Sequence, residues 1–482
     1  MTITQNNFIN GEFVTAQNHK RIDNLEPATG QLLSTIPRSG AQAVDEAVTA
    51  AEQALKGGWG GSSTAERADF CEAIAQGIED RFEEFATLES RDTGKPLNLT
   101  KSVDIPRSIA NFRFFAGAVR HQSAGCHEMP SAINYTLTRP VGVVGLITPW
   151  NLPLYLLSWK TAPALAMGNA VIAKPSEMTP LTAGALAEVI QDVGLPAGAF
   201  NLVQGYGFET GQALVEHPGI QGISFTGGTE TGAKVAAAAA STFKKLSLEL
   251  GGKNATIVFA DADFEQAACG AVRAGFLNQG QICLCGSRVF VQRDIHDAFL
   301  AAMVERVSGM RVGDPTDPNI DLGSLISRTH RKKVESYITL AQDEGGRICI
   351  GGERPELPKN LEQGAFLQPT IISELDPMCR TATEEIFGPV ITVHPFDSED
   401  EVVRLANHVR YGLSASVWTQ DLGRAHRVSA ALQTGMVWVN TWLLRDLRVP
   451  FGGIKDSGVG REGGRHSLEF FSESKNICIH LG

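Results

Sequence analysis

The 482-residue sequence predicts an α/β protein built on a doubly wound parallel sheet. Three observations predict it. From residue 141 onward, short apolar runs (VGVVGLI, AVIAK, FNLVQG, GISFTG and LSLELGG) alternate with helical stretches such as 182–193 and 230–240. A second alternation spans 253–448 and includes the strand-like ATIVFA and the turn-rich EEIFGPV. The length also exceeds one ordinary domain, so two or three are expected.

The elements follow in chain order. The first forty residues, with Gly11 and the turn-like EPATG at 26–30, read as short strands and turns. Helical periodicity then begins: Val44, Val48, Ala51 and Leu55 share one face of QAVDEAVTAAEQAL. Helical material continues to residue 120 and includes the aromatic-rich NFRFFAG at 111–117. The polar segment 121–140 is expected to form a protruding β-hairpin. Residues 140–159 are uncharged and long enough for a membrane helix, but Pro149, Asn151 and Pro153 interrupt them. A buried strand, a tight loop and a helix start are expected there instead. The tail, 464–482, ends in the extended-looking NICIHL.

Composition excludes several classes. Hydrophobic residues make up 43% and charged residues 20%, as in globular proteins. A net charge of −11 with no long basic run argues against a nucleic-acid or membrane surface. Eight scattered cysteines are no disulfide framework, and reduced thiols in a cytoplasm fit them. The N-terminus, MTITQNNFINGEF, lacks the pattern of a signal peptide.

Five stretches could carry chemistry. FTGGTETG, 225–232, is a glycine-rich turn opening a helix, which offers backbone N–H groups to an anion. AKPSE, 173–177, ends a buried strand, where Lys174 and Glu177 could meet ribose hydroxyls or simply pair at the surface. Glu249 in SLELGGK sits at an apolar strand end, where a raised pKa would suit a general base; the alternative is a carboxylate in water. The Asn151 amide in TPWNLP could donate to an oxyanion or only stabilise a turn. NQGQICLCG, 278–286, places Cys283 and Cys285 one residue apart. A metal needs more ligands than this, so no metal site is expected. A catalytic thiol, a Cys–His hydrolase with a distant histidine, and two buried thiols remain open.

Taken together, PWNLP, AKPSE, FTGGTETG, LELGGK, NQGQICL, EEIFGPV and FGGIKDSGVGRE occur in an order and at a spacing that resemble the aldehyde dehydrogenase superfamily over the full chain. The resemblance implies a Rossmann-type NAD-binding domain (1–120 and 141–251), an α/β catalytic domain (252–448), and a small β extension for oligomerisation (121–140 and 464–482). It implies Cys283 as nucleophile, Glu249 as general base and Asn151 as oxyanion donor. Trp150, Lys174, Glu177, Gly227, Glu385 and Phe387 would contact the cofactor. Glu177 would repel a 2′-phosphate, so NAD is expected over NADP. One position departs: the serine that often follows the glycine matched by Gly227 is here Gly228.

DIPRSIANFRFFAG, 104–117, and NTWLLRDLRVPFGG, 440–453, resemble the muconate-semialdehyde branch of that superfamily. The resemblance implies that Arg107 and Arg445 hold a substrate carboxylate, a task that suits the planar guanidinium fork. Arg113 and Arg448 lie nearby, and any of the four could be a structural ion-pair partner. The expected reaction is NAD-dependent oxidation of 2-aminomuconate 6-semialdehyde, with 2-hydroxymuconate semialdehyde as the near alternative. A non-catalytic binding protein of the same fold is the alternative of another class. A homodimer or homotetramer is expected.

Overall fold

The apolar runs that follow residue 141 form the centre of an eight-stranded sheet. In this computed structural model, residues 2–16 and 18–482 are described. Strands Val143–Ile147, Ala170–Lys174, Phe200–Leu202, Gly222–Thr226 and Lys245–Glu249 lie parallel, in spatial order third, second, first, fourth, fifth. The order reverses between the first and the fourth. In open α/β sheets that reversal opens a crevice at the C-terminal strand ends, and ligands bind there. Antiparallel strands close both edges. Asn7–Ile9 pairs with Phe200–Leu202, and Gly458–Val459 returns from far along the chain to pair with Lys245–Glu249.

The strands are apolar throughout because both faces are covered. Val144, Leu146, Val171 and Ala173 point into one core, with helices Thr64–Asp80, Ile105–Arg120, Pro153–Ala166 and Leu181–Asp192. Val143, Ile147, Ala170 and Ile172 point into the other, with helices Ala41–Lys56 and Thr229–Ala240. The uncharged stretch 140–159 is a strand, a loop and a buried helix with Pro153 in its first turn. No helix among the described residues is long and apolar enough to cross a membrane.

A second sheet has seven strands, in order Arg347–Ile350, Thr370–Ser373, Val390–Phe396, Arg288–Gln292, Ala255–Val258, Ser414–Trp418 and Met436–Val439. Only its first pair is antiparallel. A third, smaller sheet joins the hairpin Cys126–Met129/Ala132–Pro140 to the tail strand Ser472–His480. The extended end of the tail is that strand, and a short helix precedes it. Gly464–Phe470 is a helix, because Leu468 and Phe471 bury themselves in the first core rather than continue the strand.

Candidate active site

A cleft of about 430 Å³ opens at the reversal point of the first sheet and is closed by loops of the second. It brings together Trp150, Asn151, Lys174, Glu177, Gly227, Cys283, Glu385 and Phe387. Glu249, Arg107 and Arg445 lie outside its lining, and their placement follows from their own contacts.

The far end of the cleft is polar and fits a dinucleotide. Gly228 caps the twelve-residue helix Thr229–Ala240 with no side-chain hydrogen bond, so the first-turn N–H groups stay available to an anion. A Cβ at Gly228 would meet nothing within 4 Å, so the absence of a serine there has no steric cause. Lys174 Nζ donates to Glu177 Oε2 at 3.1 Å. Burial lowers the Lys174 pKa, and the Glu177 charge works against that shift. The Thr148 and Thr226 hydroxyls line the cleft, buried and without partners among the described residues. Buried orphan hydroxyls are costly unless something bound satisfies them.

The near end is aromatic. Trp150 meets the rings of Phe387 and His330 edge-on, each with centroids 5.3 Å apart. His330 Nε2 donates to the Phe387 carbonyl at 2.7 Å; burial lowers the imidazole pKa to about 4, so it is neutral. That bond clamps Phe387, whose backbone is left-handed at φ 61°. Gly252 N–H donates to Glu385 Oε1 at 2.8 Å and so holds that carboxylate at the cleft. No sequence signal singled out His330.

NQGQICLCG owes its shape to three consecutive left-handed residues, Asn278, Gln279 and Gly280. A Cβ on Gly280 would stand 2.1 Å from the Gly388 carbonyl oxygen, so only glycine lets this loop seat against EEIFGPV. The next residues then diverge. Cys283 is half-buried and lines the cleft. Cys285 is buried among Ile282, Leu284, Trp442 and Phe451 and does not line the cleft.

Asn151 is held from three sides. Its Nδ2 donates to the Gln281 carbonyl at 2.8 Å, two residues before Cys283. Its own carbonyl accepts from Asn278 Nδ2 at 3.2 Å and from Lys95 Nζ at 3.0 Å. Lys95 is fully buried and also bonds Asp104 at 3.2 Å. The second Nδ2 hydrogen of Asn151 is left to face the cleft. We propose that this amide serves an oxyanion, in which case Asn151→Ala should lower kcat about 100- to 1,000-fold, the loss of about 2.7–4 kcal/mol of oxyanion stabilisation. Steady-state assays check this, and a near-normal kcat would remove the assignment.

Glu249 ends its strand buried, with Oε1 lacking any partner among the described residues. Burial first, then the charge of Glu462, pushes its pKa well above the carboxylate range. Lys160, Arg461 and Arg445 pull the other way. Glu462 is itself bound by Lys160 Nζ at 2.6 Å and Ser224 Oγ at 3.1 Å. A Cβ on Gly452 would lie 2.6 Å from Glu249 Oε1, so FGG approaches the carboxylate only as glycine. Burial and the charges of Glu249 and Glu385 likewise push the Cys283 thiol up, against Arg445. The thiol and the carboxylate thus share one electrostatic environment, which raises the pKa of both.

The four arginines separate into two pairs. Arg113 is paired with Glu79, and Arg448 with Asp446, both at 2.5 Å. Neither Arg107 nor Arg445 has an ion pair within 4 Å among the described residues. Arg445 Nη1 donates to the Tyr155 hydroxyl at 2.6 Å, and its guanidinium lies 4.0 Å from the Phe451 ring and 5.2 Å from Trp159. Arg107 lies over the Tyr155 ring at 5.9 Å. Two half-buried cations therefore converge on one tyrosine, each with an acid in electrostatic range, Asp446 for Arg107 and Glu249 for Arg445, but neither in a direct ion pair among the described residues.

A parallel-sheet dinucleotide cleft lined by a half-buried thiol and an anchored amide, with a buried carboxylate in the thiol's electrostatic environment, defines a class. The chain belongs to the aldehyde dehydrogenase family, which matches residues 13–477. It is 49% identical over 480 residues to the 2-hydroxymuconic semialdehyde dehydrogenase of Pseudomonas sp. (strain CF600), covering 98% of this chain and 99% of that one. It is 50% identical over 477 residues to the 2-aminomuconic semialdehyde dehydrogenase of Danio rerio, covering 98% and 97%. An NAD+ complex of an aldehyde dehydrogenase from Bacillus cereus superposes with a TM-score of 0.97 at 39% identity, covering 100% of this chain and 97% of that one.

Proposed function

We propose that this enzyme oxidises 2-aminomuconate 6-semialdehyde to 2-aminomuconate with NAD. The observation that carries the reading is the pair Arg107 and Arg445, which meet on Tyr155 without a direct ion pair among the described residues, Arg445 lying within electrostatic range of the Cys283 thiol. The substrate carboxylate would supply the missing negative charge, since guanidinium binds carboxylate through directed, charge-assisted bonds. The relative named for the hydroxy substrate, at 49% identity, favours 2-hydroxymuconate semialdehyde as a second reading.

The residues divide the work as follows. Cys283 Sγ, once deprotonated, forms a bond to the aldehyde carbon. The Asn151 amide and the Cys283 backbone N–H hold the oxygen that becomes negative. NAD, when bound, accepts the hydride from that carbon, which leaves a thioester on Cys283. Glu249 in its ionised form takes a proton from water, the resulting hydroxide attacks the thioester, and the acid leaves as the thiol is restored. Lys174 and Glu177 would meet the adenosine ribose, and Glu385 the nicotinamide ribose. Trp150, Gly227 and Phe387 would line the cofactor path. The three-stranded sheet would join copies into a homodimer or homotetramer. Light scattering should give that mass, and a clean monomer would contradict it. Eight unpaired cysteines suit a reducing compartment, and we place the protein in the cytoplasm.

The test measures NADH formed from either muconic semialdehyde beside hexanal, with wild type, Arg107→Ala and Arg445→Ala. Each variant should lose about 10- to 100-fold in kcat/KM for the dicarboxylate substrate and little for hexanal. Equal use of all aldehydes, indifferent to the arginines, would leave a general aldehyde dehydrogenase. No turnover, with NAD failing to protect Cys283 from alkylation, would leave a binding protein.

A further inference from the structure

Tyr155 lies inside the apolar run LPLYLLSW, on the first turn of helix Pro153–Ala166, and its side chain is buried. Two distant segments meet on it. Its hydroxyl accepts from Arg445 Nη1, and its ring lies under the Arg107 guanidinium. Its backbone carbonyl accepts from Asn111 Nδ2 at 3.2 Å, on the same helix as Arg107, and that amide also bonds Ser158 Oγ at 3.0 Å. The helix carrying Arg107 and the loop carrying Arg445 are therefore both registered to this residue. Phe451, packed on Arg445, belongs to the same apolar cluster as Leu152 and Cys283, which puts the group beside the nucleophile.

A phenol has one hydrogen to give. Arg445 occupies an acceptor position on the Tyr155 oxygen, and that oxygen has no acceptor for its own hydrogen among the described residues. A buried donor with no acceptor, polarised by one guanidinium and flanked by a second, is built to receive an anion. Resting on the dicarboxylate reading above, we propose that Tyr155 determines substrate specificity: its O–H donates to the substrate carboxylate and completes a three-point site with Arg107 and Arg445. Arginines alone would attract any acid. A fixed phenol between them sets the distance and direction at which one carboxylate fits.

Tyr155→Phe tests this, because it keeps the ring under Arg107 and removes only the oxygen. KM for the muconic semialdehyde should rise about 10- to 100-fold, the loss expected for one hydrogen bond to a charged group. KM for NAD and kcat/KM for hexanal should stay within about twofold. A second measurement avoids the aldehyde chemistry: cis,cis-muconate should inhibit hexanal oxidation by wild type, with a Ki raised by a similar factor in the variant. If wild type prefers the semialdehyde and Tyr155→Phe changes neither KM nor Ki, the Tyr155 assignment fails and the dicarboxylate reading stands. A wild type with no preference for the semialdehyde over hexanal overturns both. Equal losses on hexanal and semialdehyde would reduce Tyr155 to a structural part.

Discussion

Cys283→Ala should reduce NADH formation to background, a loss of at least about 10⁴-fold, as is usual when a covalent nucleophile is removed. Nothing nearby can replace the thiol. Cys285 is two residues away, but burial pushes its pKa up to about 12 and its side chain packs into an apolar cluster. Cys285→Ala should therefore stay within a few-fold of wild type. NAD binding to Cys283→Ala, followed by calorimetry, should be little changed, because the cofactor contacts we propose, Lys174, Glu177 and the uncapped helix end, do not involve the thiol. Substantial turnover by Cys283→Ala would remove the thiol from the chemistry.

Glu249→Gln should divide the reaction in two. The first NADH per active site should still appear as a burst, since thiol attack and hydride loss do not need this carboxylate as a base. Steady turnover should then fall about 10²- to 10⁴-fold, the range for a lost general base. The pH dependence follows from the direction of the shift. A carboxylate works as a base only when ionised, and the Glu249 pKa lies well above its ordinary value. Steady turnover of wild type should therefore go on rising with pH above the range in which an ordinary carboxylate is already ionised. In Glu249→Gln that rise in the steady phase should disappear, which stopped-flow absorbance of NADH at several pH values would show.

Much of this site was legible in the sequence because the chemistry sits in short loops between regular elements. PWNLP, AKPSE and NQGQICL each follow or precede a strand or helix that periodicity reveals, and the fold brings their residues to one cleft. The parts that were not legible depend on contacts across long distances in the chain. Arg445 and Tyr155 are 290 residues apart. Periodicity reads Tyr155 as core, and no local pattern separates Arg107 and Arg445 from Arg113 and Arg448. Only the positions of Glu79 and Asp446 do that. The return of Gly458–Val459 to the first sheet is too short a strand to leave a periodic trace. The His330 clamp on Phe387 and the Lys95 bond to Asn151 are likewise side-chain-to-carbonyl contacts that local sequence does not encode.

The central claim is that a muconic semialdehyde becomes a thioester on Cys283. The most direct measurement is peptide mass mapping of Glu249→Gln after brief incubation with NAD and the semialdehyde, quenched in acid. The account predicts the acyl group on the peptide containing Cys283, at the Cys283 sulfur and not at Cys285, with the adduct absent when NAD is omitted. An unmodified Cys283 during the NADH burst, or an acyl group on another residue, would contradict it.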